Sequence, residues 1–355
     1  MPDDAPGREA ALVALDWGTT TFRGWLLDAD GRELDRVRTD DGTLRTSAGT
    51  GTAGERAAAF ERTVARVCGA WLAAHPAATV LCAGMAGSQL GWAEAGYLDV
   101  PVGLEDLARH LTTVPGGVAG RDVRLVPGLR APGDLPDVMR GEEVQLRGAL
   151  EGSLDGTPDD ASDDAAGPPA AVVLPGTHTK WVRLDGARVT GFSTAMTGEV
   201  YDLLLRDSIL ARLADGVPAA EPSTAFVRGL DVDAEHGEER GVLALLFTAR
   251  TLVLAGRLAP EEVADYASGL LVGSDVRHAL RSVPAGPVAV CGSGTTTPRY
   301  RLALERRGAT VRTVAEDVAA RGLWRVAADA GLVAAPSRSR PAPRQTTRQP
   351  PEDRP

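Results

Sequence analysis

Residues 15–32, LDWGTTTFRGWLLDADGR, and residues 172–188, VVLPGTHTKWVRLDGAR, are two copies of one pattern. Each runs from an apolar segment through a Gly/Thr turn into a second apolar segment, and superposing them brings Gly18 over Gly176, Thr19 over Thr177 and Thr21 over Thr179. A glycine-containing turn between two short runs rich in β-branched and aromatic residues reads as a strand, a tight turn and a returning strand. Recurrence of that unit half a chain later predicts two lobes of similar build.

Outward from the first copy, residues 11–17, 22–28 and 32–38 predict a three-stranded antiparallel meander. A helix follows, with Phe60, Val64, Val67, Trp71 and Leu72 on one face, and then a buried strand at 79–83. The second copy predicts strands at 170–174, 180–185 and 188–193, helices at 199–213, 238–258 and 261–280, a strand at 287–291 and a helix from Thr297 or Pro298. Strands alternating with helices in both halves define an α/β class. The expected boundaries are a leader at 1–10, a substrate and phosphate lobe at 11–150, an acidic connection at 151–169, a nucleotide lobe at 170–333 and a tail at 334–355. The connection and the tail lack apolar period, so neither is expected to bury enough surface to offset the entropy of ordering.

The chain has 355 residues, 43% of them hydrophobic, enough for two cores. Its net charge of -10 argues against nucleic acid or an anionic membrane surface as the partner. Cys68, Cys82 and Cys291 are odd in number, widely spaced and set in apolar runs, which indicates neither a disulfide framework nor a zinc site. With no signal-like leader and no apolar run long enough for a bilayer, the expected location is cytoplasmic.

Gly/Thr hairpins offer several N–H groups and hydroxyls in a small space, and glycine lets an anion approach the backbone. Gly18, Thr19 and Thr20 supply one such cradle, with Asp16 at the strand end placed to hold a hydrated magnesium ion. Gly176 and Thr177 supply the other, with His178 as a further donor and with Lys180, the one lysine of the chain, beside it. Two facing cradles suit the phosphates of a nucleotide in an interlobe cleft. A third cluster, Gly292, Ser293, Gly294 and Thr295, follows a strand and suits an adenine or ribose against the backbone, although it lacks the Rossmann and Walker spacings. Phosphorylating a hydroxyl calls for a carboxylate to orient and deprotonate it. Glu142 and Glu143 stand after Gly141 at a helix start, where acidic residues also occur for helix-dipole reasons, and only one of the two is expected to face the cleft. In residues 84–101, Gly84, Ser88, Gln89 and Trp92 are candidates for contact with a sugar chain, with a structural anchor as the other reading of Trp92.

The segments DWGTTTFRGWLL, GMAGSQLGW, VMRGEEVQLRGA, LPGTHTKWV, TAMTGEVYDLLLRDSIL and SGLLVGSDV resemble, in order, those of the 2-dehydro-3-deoxygalactonokinases. The resemblance implies the actin-like ATPase fold, two ribonuclease-H-like lobes of mixed sheet plus helices around an interdomain cleft. It implies ATP and Mg2+ as cofactors, and transfer of the γ-phosphoryl group to the 6-hydroxyl of 2-dehydro-3-deoxy-D-galactonate in galactonate or oxidative galactose breakdown. Carried over, Asp16 and the Gly18 to Thr20 turn serve one phosphate site, Gly176 and Thr177 the second, Gly292 to Thr295 the adenosine side, and Glu142 the base. Asp99 and Asp137 stand next in line as bases. Arg23, Arg45 and Arg140 are candidates for the substrate carboxylate, because a planar fork binds it through two bonds. The partners so implied are a small sugar acid and ATP, with a homodimer left open. Rival readings are a kinase of a related acid sugar such as 2-dehydro-3-deoxygluconate, and a non-transferring ATPase or nucleotide-sensing regulator.

Overall fold

The computed structural model describes residues 9–150, 167–215, 219–292, 294–314 and 318–333. The leader at 1–8, most of the connection, the tail and the candidate Ser293 lie outside them. In the first strand, β1 (Ala10–Trp17), both faces are buried: Val13, Leu15 and Trp17 pack with Phe60, Val64, Cys68 and Leu72, while Leu12 and Ala14 belong to a second core on the other side. Burial on both faces marks a central strand covered by helices on either side.

Beside β1 lie β2 (Phe22–Asp28) and then β3 (Glu33–Thr39), both antiparallel, and on the other flank β4 (Thr79–Gly84), parallel. After β5 (Tyr97–Asp99) and β6 (Val102–Gly103), the strands β7 (Thr112–Val118) and β8 (Arg121–Leu125) complete a sheet of order β3-β2-β1-β4-β8-β7. A small sheet joins β5 to β9 (Gly128–Ala131) and β10 (Asp137–Met139). The second large sheet holds β11 (Ala171–Leu174), β12 (Thr179–Asp185), β13 (Arg188–Ala195), β14 (Val288–Cys291) and β15 (Val311–Val314), in the order β15-β14-β11-β12-β13-β6. An antiparallel meander followed by two parallel strands therefore occurs twice, as β3-β2-β1-β4-β8 and as β13-β12-β11-β14-β15. This is the ribonuclease-H-like plan in both lobes, as the duplicated turns and the family resemblance led one to expect.

Among the described residues the α-helices are α1 (Thr43–Thr46), α2 (Ala53–Ala74), α3 (Glu142–Ala149), α4 (Thr197–Asp207), α5 (Thr224–Leu254), α6 (Val263–Ala279), α7 (Thr296–Arg306) and α8 (Val318–Asp329). Two differ from the sequence expectation. The helix expected at 199–213 stops at Asp207, because the Ser208 hydroxyl bonds back to the Leu204 carbonyl and accepts the Leu210 N–H at 3.0 Å. The helix expected at 238–258 begins much earlier, capped by the Ser223 side chain on the Phe226 N–H, and it kinks at Gly241, where φ is 70°. None of the described helices is long and apolar enough to cross a membrane.

The chain passes between the lobes more than once. Strand β6 pairs with β13 at the edge of the second sheet, and α8, after the last strand of that sheet, returns to pack on α3, β1 and β4. At the crossing of α3 and α8 the backbones nearly touch: a Cβ on Gly148 would overlap the Val318 carbonyl, and one on Gly322 would overlap the Val144 carbonyl. The Arg147 to Asp329 ion pair at 2.9 Å closes the far end of the same contact. Because these obstacles are backbone atoms, Gly322→Ala forces the helices apart, and a loss of about 3 kcal/mol is expected. Chemical denaturation of the variant checks this, and an unchanged midpoint and slope would contradict it.

Candidate active site

The first Gly/Thr turn is held by its carbonyls. Those of Gly18, Thr19 and Thr20 accept the N–H groups of Thr43, Leu44 and Gly42 at 3.0, 3.1 and 3.2 Å, and the Gly18 N–H closes the turn on the Thr21 carbonyl at 2.8 Å. With its carbonyls turned to the protein, the turn presents Gly18, Thr19 and Thr21 to a cleft of about 1140 Å³ between the lobes. Gly42 has to be glycine, since a Cβ there would overlap the Thr20 backbone. On the opposite wall Gly176 and Thr177 form the second turn. The start of α4 is pressed against it: the Glu199 N–H donates to the Thr177 carbonyl at 2.9 Å, and a Cβ on Gly198 would overlap the Gly176 carbonyl. His178 on the same turn lies 2.6 Å from the Glu199 carboxylate.

Asp16 ends β1 at the cleft, 5% exposed, with Arg23 bonded to its Oδ2. Two glycines with positive φ, Gly84 (85°) and Gly141 (108°), close in on its other oxygen, so that a Cβ on either would lie 3.2 or 3.9 Å from Oδ1. Glycine tolerates that backbone and leaves room, which brings the end of β4 and the start of α3 to the carboxylate.

Glu142 is the first residue of α3, and its Oε2 accepts the Arg140 N–H at 3.0 Å. Its Oε1 is 3.8 Å from Nζ of Lys180, which reaches over from β12 in the second lobe. Only 24% of the Glu142 side chain is exposed, and burial raises its carboxyl above the ordinary range; Lys180 and the backbone N–H bonds oppose that rise and Asp16 adds to it. A carboxyl tuned upward in a cleft is suited to taking a proton.

Glu143 points the other way, into the protein. It is wholly buried, its Oε2 accepts the Gly141 N–H at 2.7 Å and its Oε1 has no partner among the described residues. Burial, and then the charge of Glu142, pushes its carboxyl up to about 8, so it is neutral at pH 7. A raised folded-state pKa gives stability that is full below the unfolded value and is lost as pH rises through the folded one. The melting temperature of Glu143→Gln relative to the parent should therefore climb from about pH 4.5 and level off above pH 8. Parallel melting curves across that window would contradict the assignment.

The structure gathers most of the expected residues and disperses others. Gly18, Thr19, Gly84, Arg140, Glu142, Gly176, Thr177, His178, Lys180 and Gly292 line the cleft with Asp16 and Arg23. Thr20 is exposed beside the cleft lining, and its carbonyl accepts the Gly42 N–H. Gly294 and Thr295 are exposed at the mouth of a side pocket, which Thr295 lines. Arg45 corrects the expectation: it lies on the surface, its guanidinium 3.9 Å from Asp41, away from the cleft lining. Trp92 is an anchor, buried 6.0 Å from both Trp17 and Phe60 in an aromatic cluster, and Ser88 and Gln89 on the adjoining loop do not line the cleft. Asp99 is paired with Arg130 at 2.6 Å, outside the cleft.

Other contacts in the lining join segments far apart in the sequence. Asp137 accepts the N–H and hydroxyl of Thr194 at 2.6 and 2.8 Å, joining β10 to β13 across 57 positions of sequence, which no local pattern reveals. Tyr97 carries the Arg140 guanidinium over its ring, 4.2 Å from the centroid. Arg140 donates to the Gly96 carbonyl at 2.7 Å, while its Nε and Nη1 are buried without partners among the described residues. The side pocket opens from the cleft past Gly176 and Thr296, between α4, α6 and α7, and the Tyr201 hydroxyl and Arg299 Nη1 at its wall are also buried, without partners among the described residues. Cys291 lines the cleft, but burial pushes its thiol up to about 12, so it is no nucleophile.

The profile of the 2-keto-3-deoxy-galactonokinase family matches residues 16–326, from the cleft aspartate through most of α8. The chain belongs to that family. It is a sugar-acid kinase by that membership. A relative from Rhizobium meliloti (strain 1021), named as a 2-dehydro-3-deoxygalactonokinase, is 38% identical over 326 residues, covering 88% of this chain and 97% of its own. The 2-dehydro-3-deoxygalactonokinase of Escherichia coli (strain K12) is 34% identical over 314 residues, 87% and 94% of the two chains. A crystal structure from Sinorhizobium meliloti given the same designation superposes with a TM-score of 0.74 at 36% identity, covering 89% of this kinase and 98% of that chain.

Proposed function

We propose that this kinase transfers the terminal phosphoryl group of ATP to the 6-hydroxyl of 2-dehydro-3-deoxy-D-galactonate, in the cytoplasm, as a step of galactonate breakdown. The observation that carries the reading is the position of Glu142: a carboxyl raised by burial, standing in the cleft between Asp16 at the first phosphate turn and Lys180 beside the second. ATP phosphates lie between the two turns and the adenine lies toward Gly292, Thr295 and the side pocket. The acceptor hydroxyl gives its proton to Glu142 as its oxygen bonds to the γ-phosphorus, and the bridging bond to the β-phosphate breaks with its electron pair leaving on ADP. Lys180, His178 and the turn donors face the charge that builds on the transferred group.

Among the described residues no three His, Cys, Asp or Glu side chains cluster as a metal cage. Oδ1 of Asp16, which has no hydrogen-bond partner among the described residues, fits Mg2+, which keeps most of its waters and binds chiefly to phosphates. Bound there, the ion supplies neutralisation of phosphate charge. Arg140 takes the substrate carboxylate, supported by its two unpartnered guanidinium nitrogens at the cleft wall; Arg23 is already committed to Asp16. The acidic chain has no call on nucleic acid in this reading, and light scattering of the full chain tests for a homodimer.

A coupled ADP-release assay over 2-dehydro-3-deoxygalactonate, 2-dehydro-3-deoxygluconate and neutral hexoses tests the proposal. Turnover is expected with the first in preference to the others. ADP release that needs no acceptor would make the chain a non-transferring ATPase, and equal use of neutral hexoses would remove the role given to Arg140.

A further inference from the structure

Behind the second phosphate turn, one carboxylate joins three elements. Asp275, on α6, accepts Trp181 Nε1 of β12 on Oδ1 at 2.9 Å, and on Oδ2 the Thr197 hydroxyl of α4 at 2.8 Å and the Tyr300 hydroxyl of α7 at 2.5 Å. The Tyr300 hydroxyl in turn lies 3.0 Å from the Thr179 hydroxyl of β12. Thr179, Trp181 and Tyr300 are 1, 2 and 2% exposed.

Each element so tied enters the nucleotide half beside a residue that lines it. Strand β12 leaves the turn of Gly176, Thr177 and His178; α4 begins with Thr197 and Gly198 packed on that turn; α7 begins with Thr296 at the mouth of the side pocket. Thr179, Thr197 and Tyr300 themselves line the pocket. Trp181 Nε1, the Thr197 hydroxyl and the Tyr300 hydroxyl all donate to Asp275, so its side chain has to accept three bonds on two oxygens. A carboxylate does this, whereas an amide replaces one accepting oxygen with a donor. None of these bonds reaches the first-lobe groups Asp16, Arg140 and Glu142.

We infer that Asp275 is a positioning residue for the nucleoside-triphosphate half of the site, holding the second phosphate turn, the start of α4 and the start of α7 at the spacing that a bound nucleotide requires. The inference rests on the ATP reading above. Its consequence is selective: disturbing Asp275 weakens nucleotide binding and leaves the sugar-acid half alone.

The test uses the full chain with Asp275→Asn and, as a milder change, Thr197→Val, measuring KM for ATP, KM for the sugar acid, calorimetric binding of ADP alone and melting temperature. Asp275→Asn is expected to raise KM for ATP and Kd for ADP by about tenfold or more, with KM for the sugar acid within about twofold of the parent. Thr197→Val should move the same two constants by about threefold. If Asp275→Asn does not fold, Thr197→Val decides, because it removes one bond at a half-buried helix start. A lower melting temperature with ADP binding unchanged, or both KM values rising alike, would overturn the inference. A parent chain that binds no ADP would overturn the ATP reading beneath it, whereas a parent that binds ADP beside unaffected variants overturns the role of Asp275 alone.

Discussion

Glu142→Gln is expected to lower kcat by about a hundredfold or more with little change in ATP affinity. The amide keeps the size and can still accept the Arg140 N–H, so the fold around α3 has no reason to move, but it cannot take a proton from the acceptor hydroxyl. Two further signs separate a base from a carboxylate that merely begins a helix. Because burial raises the Glu142 carboxyl, the acid limb of the parent kcat/KM profile should lie above the ordinary carboxylate range, and it should vanish from the residual activity of the variant. Glu143→Gln, one residue on but buried and already neutral, should keep its turnover at pH 7. A fast, stable Glu142→Gln enzyme would transfer the role to Asp137, which also lines the cleft but is engaged by Thr194.

Asp16→Asn should cost on the order of a hundred- to a thousandfold in phosphotransfer while the protein stays folded. The substitution preserves shape between Gly84 and Gly141 and removes a negative charge beside the first Gly/Thr turn. It also removes the charge that Arg23 pairs with, leaving an amide oxygen that can still accept one of its N–H groups. Raising the magnesium concentration should recover part of the rate if Asp16 holds a hydrated ion, whereas turnover near the parent level at ordinary magnesium would end that role. Circular dichroism and melting temperature serve as the check that the loss is chemical.

These two carboxylates are legible in the sequence because each sits in a local signal: Asp16 at the end of an apolar strand running into a Gly/Thr turn, Glu142 after a glycine at a helix start. The duplicated turn foretold the two lobes for the same reason, since strand, turn and strand are decided by residues within a few positions of one another. What failed was long-range. Trp92 and Arg45 are residue types that suit a sugar-acid site, yet Trp92 is packed among Trp17 and Phe60, and Arg45 lies exposed on the surface near Asp41.

The sequence by itself thus determined the paired hairpins, the class of fold and the residue types able to cradle phosphate and accept a proton, all of which depend on local backbone preference and apolar period. Only the tertiary structure decided which carboxylate faces the cleft and which is buried neutral behind it, that Lys180 of one lobe meets Glu142 of the other, and that α8 returns to brace α3 through Gly148 and Gly322. Those outcomes depend on contacts between segments far apart in the chain, and burial and distance, which set charge state and pairing, exist only once the segments have packed.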